Sequence, residues 1–82
     1  MPTILRIGHL GVVIYPNDHR PAHVHVIGPE RLAIFYLNCP IGPVSLRGND
    51  GFSTRELNRI AEVLDQHITK LCAAWKEIHG YH

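Results

Sequence analysis

The feature of this sequence that most restricts its fold is a long apolar stripe near the C-terminus. Apolar side chains recur every three or four residues from Leu57 to Ile78, the spacing of one face of an α-helix. Ser53 and Glu56 precede the stripe as an S-x-x-E capping box, a signal for a helix start. The pattern therefore predicts one long amphipathic helix over residues 54–79, about 39 Å long at about 1.5 Å per residue.

A straight helix of that length is long for a chain of 82 residues. A compact domain of this size has a radius of gyration of about 12 Å, so we expect the far end of the helix to extend beyond the sheet. Leu71, Trp75 and Ile78 lie on that end of the stripe. They are the predicted interface of a homodimer or of a complex with a small cognate protein.

The residues before the helix predict a small antiparallel β-sheet of four to five strands. Short runs rich in β-branched residues alternate with turn-forming Gly, Pro, Asn and Asp. The predicted strands cover residues 3–7, 11–15, 23–27, 31–37 and 44–47, followed by a loop at 48–51. The fold class is therefore α+β, with strands within 3–47 and a single domain over 1–82, because so short a chain does not form two cores.

Composition excludes some classes of protein. No apolar run approaches the roughly 20 residues of a membrane span, and the start lacks the basic and apolar segments of a secretory signal. We therefore expect a cytoplasmic protein with no membrane partner.

Cys39 and Cys72 form no metal-type pair, so they are predicted to be unpaired, buried side chains. A DNA-binding regulator is disfavoured by the formal charge of +1 and by the lack of a helix-turn-helix pair.

Histidine and valine alternate over residues 23–26, directly after a loop rich in Pro and Asp. Residues two apart on a strand share a face, so His23 and His25 should project side by side while the valines face the core. Two imidazoles at this spacing can hold one divalent metal, with Asp18 or His19 as a third ligand.

The same pair has two other interpretations. His23 and His25 would also suit general acid–base catalysis, such as the cleavage of a phosphodiester in RNA, with Arg47 binding the phosphate. Histidines on a strand also occur as a polar outer face without chemistry. The pattern leaves all three open, and the cofactor it suggests, if any, is a divalent metal.

Three segments resemble the bacterial family known as domain of unknown function 4160. They are the opening Met-Pro-Thr-Ile-Leu-Arg-Ile, the stretch from Asn17 to Val26, and the late Gly51-Phe52-Ser53 that leads into Glu56-Leu57. The family usually has two prolines before the histidine pair, and here Ala22 takes the place of the second.

The resemblance implies a partner and positions to test. Members are small cytoplasmic proteins often encoded beside a domain of unknown function 2442 protein, and such pairs have been proposed as toxin–antitoxin modules. The resemblance therefore implies a partner-binding protein, with the toxin half of such a pair as one role, and identifies His19, His23, His25 and Arg47 as the residues to test.

Overall fold

The computed structural model describes residues 3–80, in which five strands form one antiparallel sheet. Each strand pairs with the next along the chain, so the order in the sheet is the order in the sequence. The strands are β1 (Thr3–Ile7), β2 (Leu10–Val13), β3 (His23–Gly28), β4 (Arg31–Tyr36) and β5 (Ser45–Asp50). This arrangement confirms the α+β class and the antiparallel sheet.

The turn between β3 and β4 sets which residues face each other across the hairpin. Gly28 pairs with Arg31 around a two-residue turn, and the register then continues without interruption. His25 consequently pairs with Ile34, and His23 pairs with Tyr36. Because directly paired residues share a face of the sheet, these four side chains lie together.

The last strand is longer than the sequence predicted. Residues 48–50, predicted as loop, continue β5, and only Gly51 begins the connection to the helix. The pairing with β4 shifts by one residue between Ile34 and Phe35, because Ile34 pairs with Gly48 whereas Phe35 pairs with Leu46. Arg47 is therefore the extra residue of a β-bulge.

The prediction of one continuous helix is wrong at a single residue. Helix α1 (Thr54–Gln66) and helix α2 (Ile68–His79) begin and end where the pattern placed the long helix, but His67 separates them with φ −114° and ψ 19°. Its amide bonds the carbonyl of Leu64 at 3.1 Å, a tighter turn than that of an α-helix. Neither helix in residues 3–80 is long and apolar enough to cross a membrane.

The break also removes the predicted overhang. The described residues extend 33 Å in their longest direction with a radius of gyration of 11.5 Å, so a straight helix of about 39 Å would not fit within them. Leu71 and Trp75 are fully buried in the core of the chain itself, and Ile78 packs against the same core. Leu71 and Trp75 therefore need no partner to cover them, contrary to the premise of the predicted interface.

The core lies between one face of the sheet and the two helices. It includes alternate residues of β2, β3 and β4, together with the inner residues of both helices. Its largest fully buried side chains are Trp75, Ile14, Leu37, Leu64, Leu71, Val12, Val24 and Val26. The opposite face of β3 and β4 carries three cross-strand pairs, namely His23 with Tyr36, His25 with Ile34, and Ile27 with Leu32.

The expectation of unpaired cysteines is wrong. Cys39, in the connection between β4 and β5, forms a disulfide with Cys72 of α2 across a sequence separation of 33 residues. Spacing along the chain does not reveal this contact, because it depends on how α2 packs. The same connection is also bound to α1, where the Val44 amide donates to Asp65 Oδ1 at 2.8 Å.

Candidate metal centre

Asp18, His23 and His25 bring three potential ligand atoms together at the start of β3. One oxygen or nitrogen from each residue lies within 4.8 Å of the other two. Asp18 Oδ1 is 3.3 Å from His25 Nε2 and 3.6 Å from His23 Nε2. Two ligand atoms that are each about 2.1 Å from the same metal ion lie at a separation similar to those between Asp18 and the two histidines. The cluster therefore has the dimensions of a metal site.

The backbone fixes the orientation of the His23 ring. His23 Nδ1 lies 2.8 Å from the carbonyl oxygen of Pro21. Because a carbonyl oxygen only accepts, Nδ1 carries the proton, and in the neutral ring Nε2 presents its lone pair to the cluster. Histidines that ligate metals commonly have this arrangement, in which a second group holds the nitrogen away from the metal. His23 is 4 % exposed, so little water competes for it.

The turn before β3 fixes the Asp18 carboxylate. The Tyr15 amide donates to Asp18 Oδ2 at 3.0 Å, and the Asp18 amide donates to the Tyr15 carbonyl at 3.0 Å. One carboxylate oxygen therefore holds the turn while Oδ1 remains directed at the histidines. Asp residues favour such turns because their side chains bond nearby backbone amides.

Aromatic rings enclose the two histidines. The Tyr15 ring meets the His25 ring edge-on at a centroid distance of 4.7 Å. The Trp75 ring lies 5.3 Å from the His23 ring, and the His79 ring stacks on that of Trp75 at a centroid distance of 3.9 Å. These contacts restrict both imidazoles and connect the cluster directly to α2.

A groove of about 370 Å³ opens beside the cluster. It is bounded by the loop 17–21 and by side chains of β3, β4 and β5, namely His23, His25, Ile34, Tyr36 and Arg47. The guanidinium carbon of Arg47 lies 5.9 Å from the centre of the Tyr36 ring. The bulge thus places Arg47 in the same groove as the histidines.

The sequence-predicted residues divide into two groups. Asp18, His23 and His25 converge, and Arg47 lines the groove next to them. His19, the alternative third ligand, also lines the groove but is not part of the three-residue cluster.

Three aromatic residues of the site were missed by the sequence analysis: Tyr15, Tyr36 and Trp75. The pairing of Tyr36 with His23 follows from the two-residue turn, because both residues lie the same number of positions from it along their strands. No local signal links Trp75 to His23, since the contact depends on the packing of α2.

Comparison with protein-family models matches residues 11–76 to a domain of unknown function (DUF4160). The matched segment contains the Asp18 turn, both histidines, Arg47 and Trp75. No curated protein and no solved structure was found to match the chain. Because the match covers most of the 82 residues, the chain belongs to the DUF4160 family.

Proposed function

We propose that this protein binds a divalent transition-metal ion through Asp18, His23 and His25. The observation that carries the proposal is the convergence of Asp18 Oδ1 with the two histidine Nε2 atoms, at 3.3 and 3.6 Å. Two imidazoles and one carboxylate suit Zn²⁺, Fe²⁺, Co²⁺ and related ions.

The surroundings of the cluster support a functional ion rather than a purely structural one. Structural zinc sites usually have four protein ligands, whereas catalytic sites use three and leave a position for water or substrate. The cluster has three candidate ligands and a groove beside it. An ion held there would have coordination positions that face the groove and are open to water or to a bound ligand.

Isothermal titration with Zn²⁺, Co²⁺, Ni²⁺ and Mn²⁺, on protein without an affinity tag, tests the proposal. We expect one site per chain, lost in the His23→Ala, His25→Ala double variant. His19→Ala is the matched control, because it removes an imidazole from the same groove but not from the cluster. Trp75 offers a second readout, since a bound Co²⁺ or Ni²⁺ next to His23 should quench its fluorescence.

The proposal fails if wild-type protein binds none of these ions or if the double variant binds as tightly. Circular dichroism establishes whether each variant is folded. If the double variant does not fold, His25→Gln and Asp18→Asn take its place, because both side chains are more exposed than that of His23.

A second candidate function is metal-free acid–base cleavage of RNA, with His23, His25 and Arg47 as its catalytic residues. The observation that favours it is the 3.3 Å contact between Asp18 Oδ1 and His25 Nε2, which suits a carboxylate that orients the imidazole for proton transfer. Cleavage of a single-stranded RNA oligonucleotide that persists in EDTA and disappears in His25→Ala would favour this candidate. Activity abolished by EDTA and restored by one metal would contradict it.

A toxin–antitoxin role, with a cognate protein as partner, is proposed on the family resemblance alone. Expression of the chain under tight control should slow bacterial growth, and co-expression of a domain of unknown function 2442 protein should relieve the effect. Normal growth together with no copurifying partner would contradict this role. The Leu71 and Trp75 side chains would not form the contact, because both are fully buried.

A further inference from the structure

We propose that the groove binds a phosphate ester whose phosphate lies between the metal ion and the guanidinium of Arg47. This inference rests on the proposed metal centre and adds the chemical class of its ligand. It starts from Arg47, a cation on the same face as the histidines.

The register of the sheet sets the distance between Arg47 and the histidines. His23 pairs with Tyr36 on the neighbouring strand, and Tyr36 pairs with Ser45 on the next one. Neighbouring strands are about 4.8 Å apart, so the backbone of Arg47 lies two strand spacings from that of the histidines. Its guanidinium carbon lies 5.9 Å from the centre of the Tyr36 ring, on the strand between Arg47 and the histidines, and all of these residues line the same groove.

The β-bulge accounts for the position of Arg47. Gly48 pairs with Ile34 on the groove face, while Leu46 pairs with Phe35, whose side chain belongs to the core. The extra residue between them is turned into the groove, as bulges commonly redirect a side chain beside a site. In residues 3–80 no carboxylate forms an ion pair with Arg47.

The charges of the groove favour an anion. Asp18 is the single carboxylate among the described residues that line it, and in the proposed centre that carboxylate is a metal ligand. A divalent ion and the Arg47 guanidinium would then face a shared space. A tetrahedral phosphate has enough oxygens to bind the ion with one and the guanidinium fork with two others, whereas a carboxylate has only two closely spaced oxygens.

The rest of the groove suits the organic part of an ester. Ile34, Pro21 and Tyr36 supply apolar and aromatic surface next to the cluster. The volume of about 370 Å³ is at the lower end of the range for ligand pockets, roughly 300–1,000 Å³, so the groove accommodates a group about the size of one nucleotide.

Titration of the Co²⁺-loaded protein with orthophosphate, phenyl phosphate and dimethyl phosphate tests the inference. We expect saturable binding that changes the visible spectrum of the cobalt ion. Comparison of the three compounds shows whether the groove binds free phosphate, a monoester or a diester. Arg47→Ala should keep the cobalt spectrum recorded without anion and weaken phosphate binding by at least about tenfold. Arg59→Ala is the control, because this arginine of α1 lines a different cleft.

The possible outcomes separate this inference from the proposed metal centre. Failure to bind Co²⁺ contradicts the metal centre itself. Normal Co²⁺ binding with no response to any phosphate compound contradicts the phosphate inference alone. Equal phosphate binding in Arg47→Ala and wild type, or acetate binding as tightly as phosphate, contradicts it as well.

Discussion

Asp18 uses its two carboxylate oxygens for different purposes. Oδ2 accepts the Tyr15 amide and thereby holds the turn, while Oδ1 faces both histidines. A substitution that keeps an acceptor for the Tyr15 amide but removes the negative charge therefore separates the effect of the Asp18 charge from its role in the turn.

Asp18→Asn makes this separation. We expect the variant to stay folded, because the asparagine oxygen can still accept the Tyr15 amide, and to bind Zn²⁺ more weakly by at least about tenfold, since even groups that only orient a ligand are worth that much. Zinc titration measures the effect. Asp50→Asn at the exposed end of β5 is the control, and equal losses in both variants would contradict a ligand role for Asp18.

Trp75 is a core residue that also touches the site. It is fully buried, its ring lies 5.3 Å from that of His23, and its Nε1–H has no acceptor among the described residues. Replacing it by alanine removes a large buried side chain, whereas phenylalanine keeps most of the volume and sacrifices no hydrogen bond.

We therefore expect Trp75→Ala to lower the free energy of unfolding by about 3–5 kcal/mol and Trp75→Phe to lower it by clearly less. Urea unfolding followed by circular dichroism measures both, with Ile41→Ala as a control at a side chain that is 81 % exposed. If Trp75→Ala left the stability unchanged but altered the molecular mass in solution, Trp75 would be an interface residue after all.

The start of α1 is stabilised by side chains that also connect it to the sheet. The Ser53 amide donates to Glu56 Oε1 at 2.9 Å, and the Glu56 amide donates to Ser53 Oγ at 3.1 Å. Arg31 of β4 forms an ion pair with the other oxygen of Glu56. The hydrogen bond from the Ser53 backbone, aided by the Ser53 hydroxyl and by Arg31, holds the pKa of Glu56 below its ordinary value of 4.5.

A lowered carboxyl pKa makes the stability depend on pH in one direction. The ionised Glu56 stabilises the folded chain above pH 4.5, and this contribution is lost as the pH falls through the lowered pKa. The difference in unfolding free energy between wild type and Glu56→Gln should therefore narrow as the pH is lowered from about 7 into the acid range. Urea titrations at several pH values measure it, and a constant difference would contradict this account of the cap.

Local sequence predicts where the helical segment and the β3–β4 hairpin begin and end better than it predicts interruptions within a helix or a strand. The capping box and the apolar stripe predicted both outer ends of the helical segment, and the two-residue turn fixes the β3–β4 register. The break at His67 and the bulge at Arg47 depend on how the helices and β5 fit the rest of the chain, so no local pattern predicted them. The histidine pair was found from alternation alone, whereas the choice of Asp18 over His19 required the turn geometry.

On the scale of the whole molecule, the disulfide between Cys39 and Cys72 joins the β4–β5 connection to α2. A cross-link of this kind reduces the freedom of the unfolded chain, and for a separation of 33 residues the chain-entropy estimate is about 3–4 kcal/mol. The stability of the molecule should therefore depend on the redox conditions.

We expect a reducing agent to lower the melting temperature of the wild-type protein and to leave that of the Cys39→Ser, Cys72→Ser double variant unchanged. Differential scanning calorimetry with and without reductant measures both. Two free thiols per chain in the protein under oxidising conditions would contradict the disulfide.

A homodimer or a complex stays a prediction, and the burial of Leu71 and Trp75 changes where its interface could lie. The exposed large apolar side chains of residues 3–80 are Leu32, Ile41 and Leu46, two of them in or just before β5. If light scattering gives the mass of a dimer, Ile41→Ser with Leu46→Ser should shift it towards the monomer, whereas a dimer unaffected by that change would have another interface.

Anomalous diffraction from crystals grown with Zn²⁺ tests the central proposal most directly. The account predicts one strong peak per chain about 2.0–2.2 Å from Nε2 of His23, Nε2 of His25 and a carboxylate oxygen of Asp18. No peak at this position in crystals saturated with zinc, or a peak held by His19 without Asp18, would contradict it.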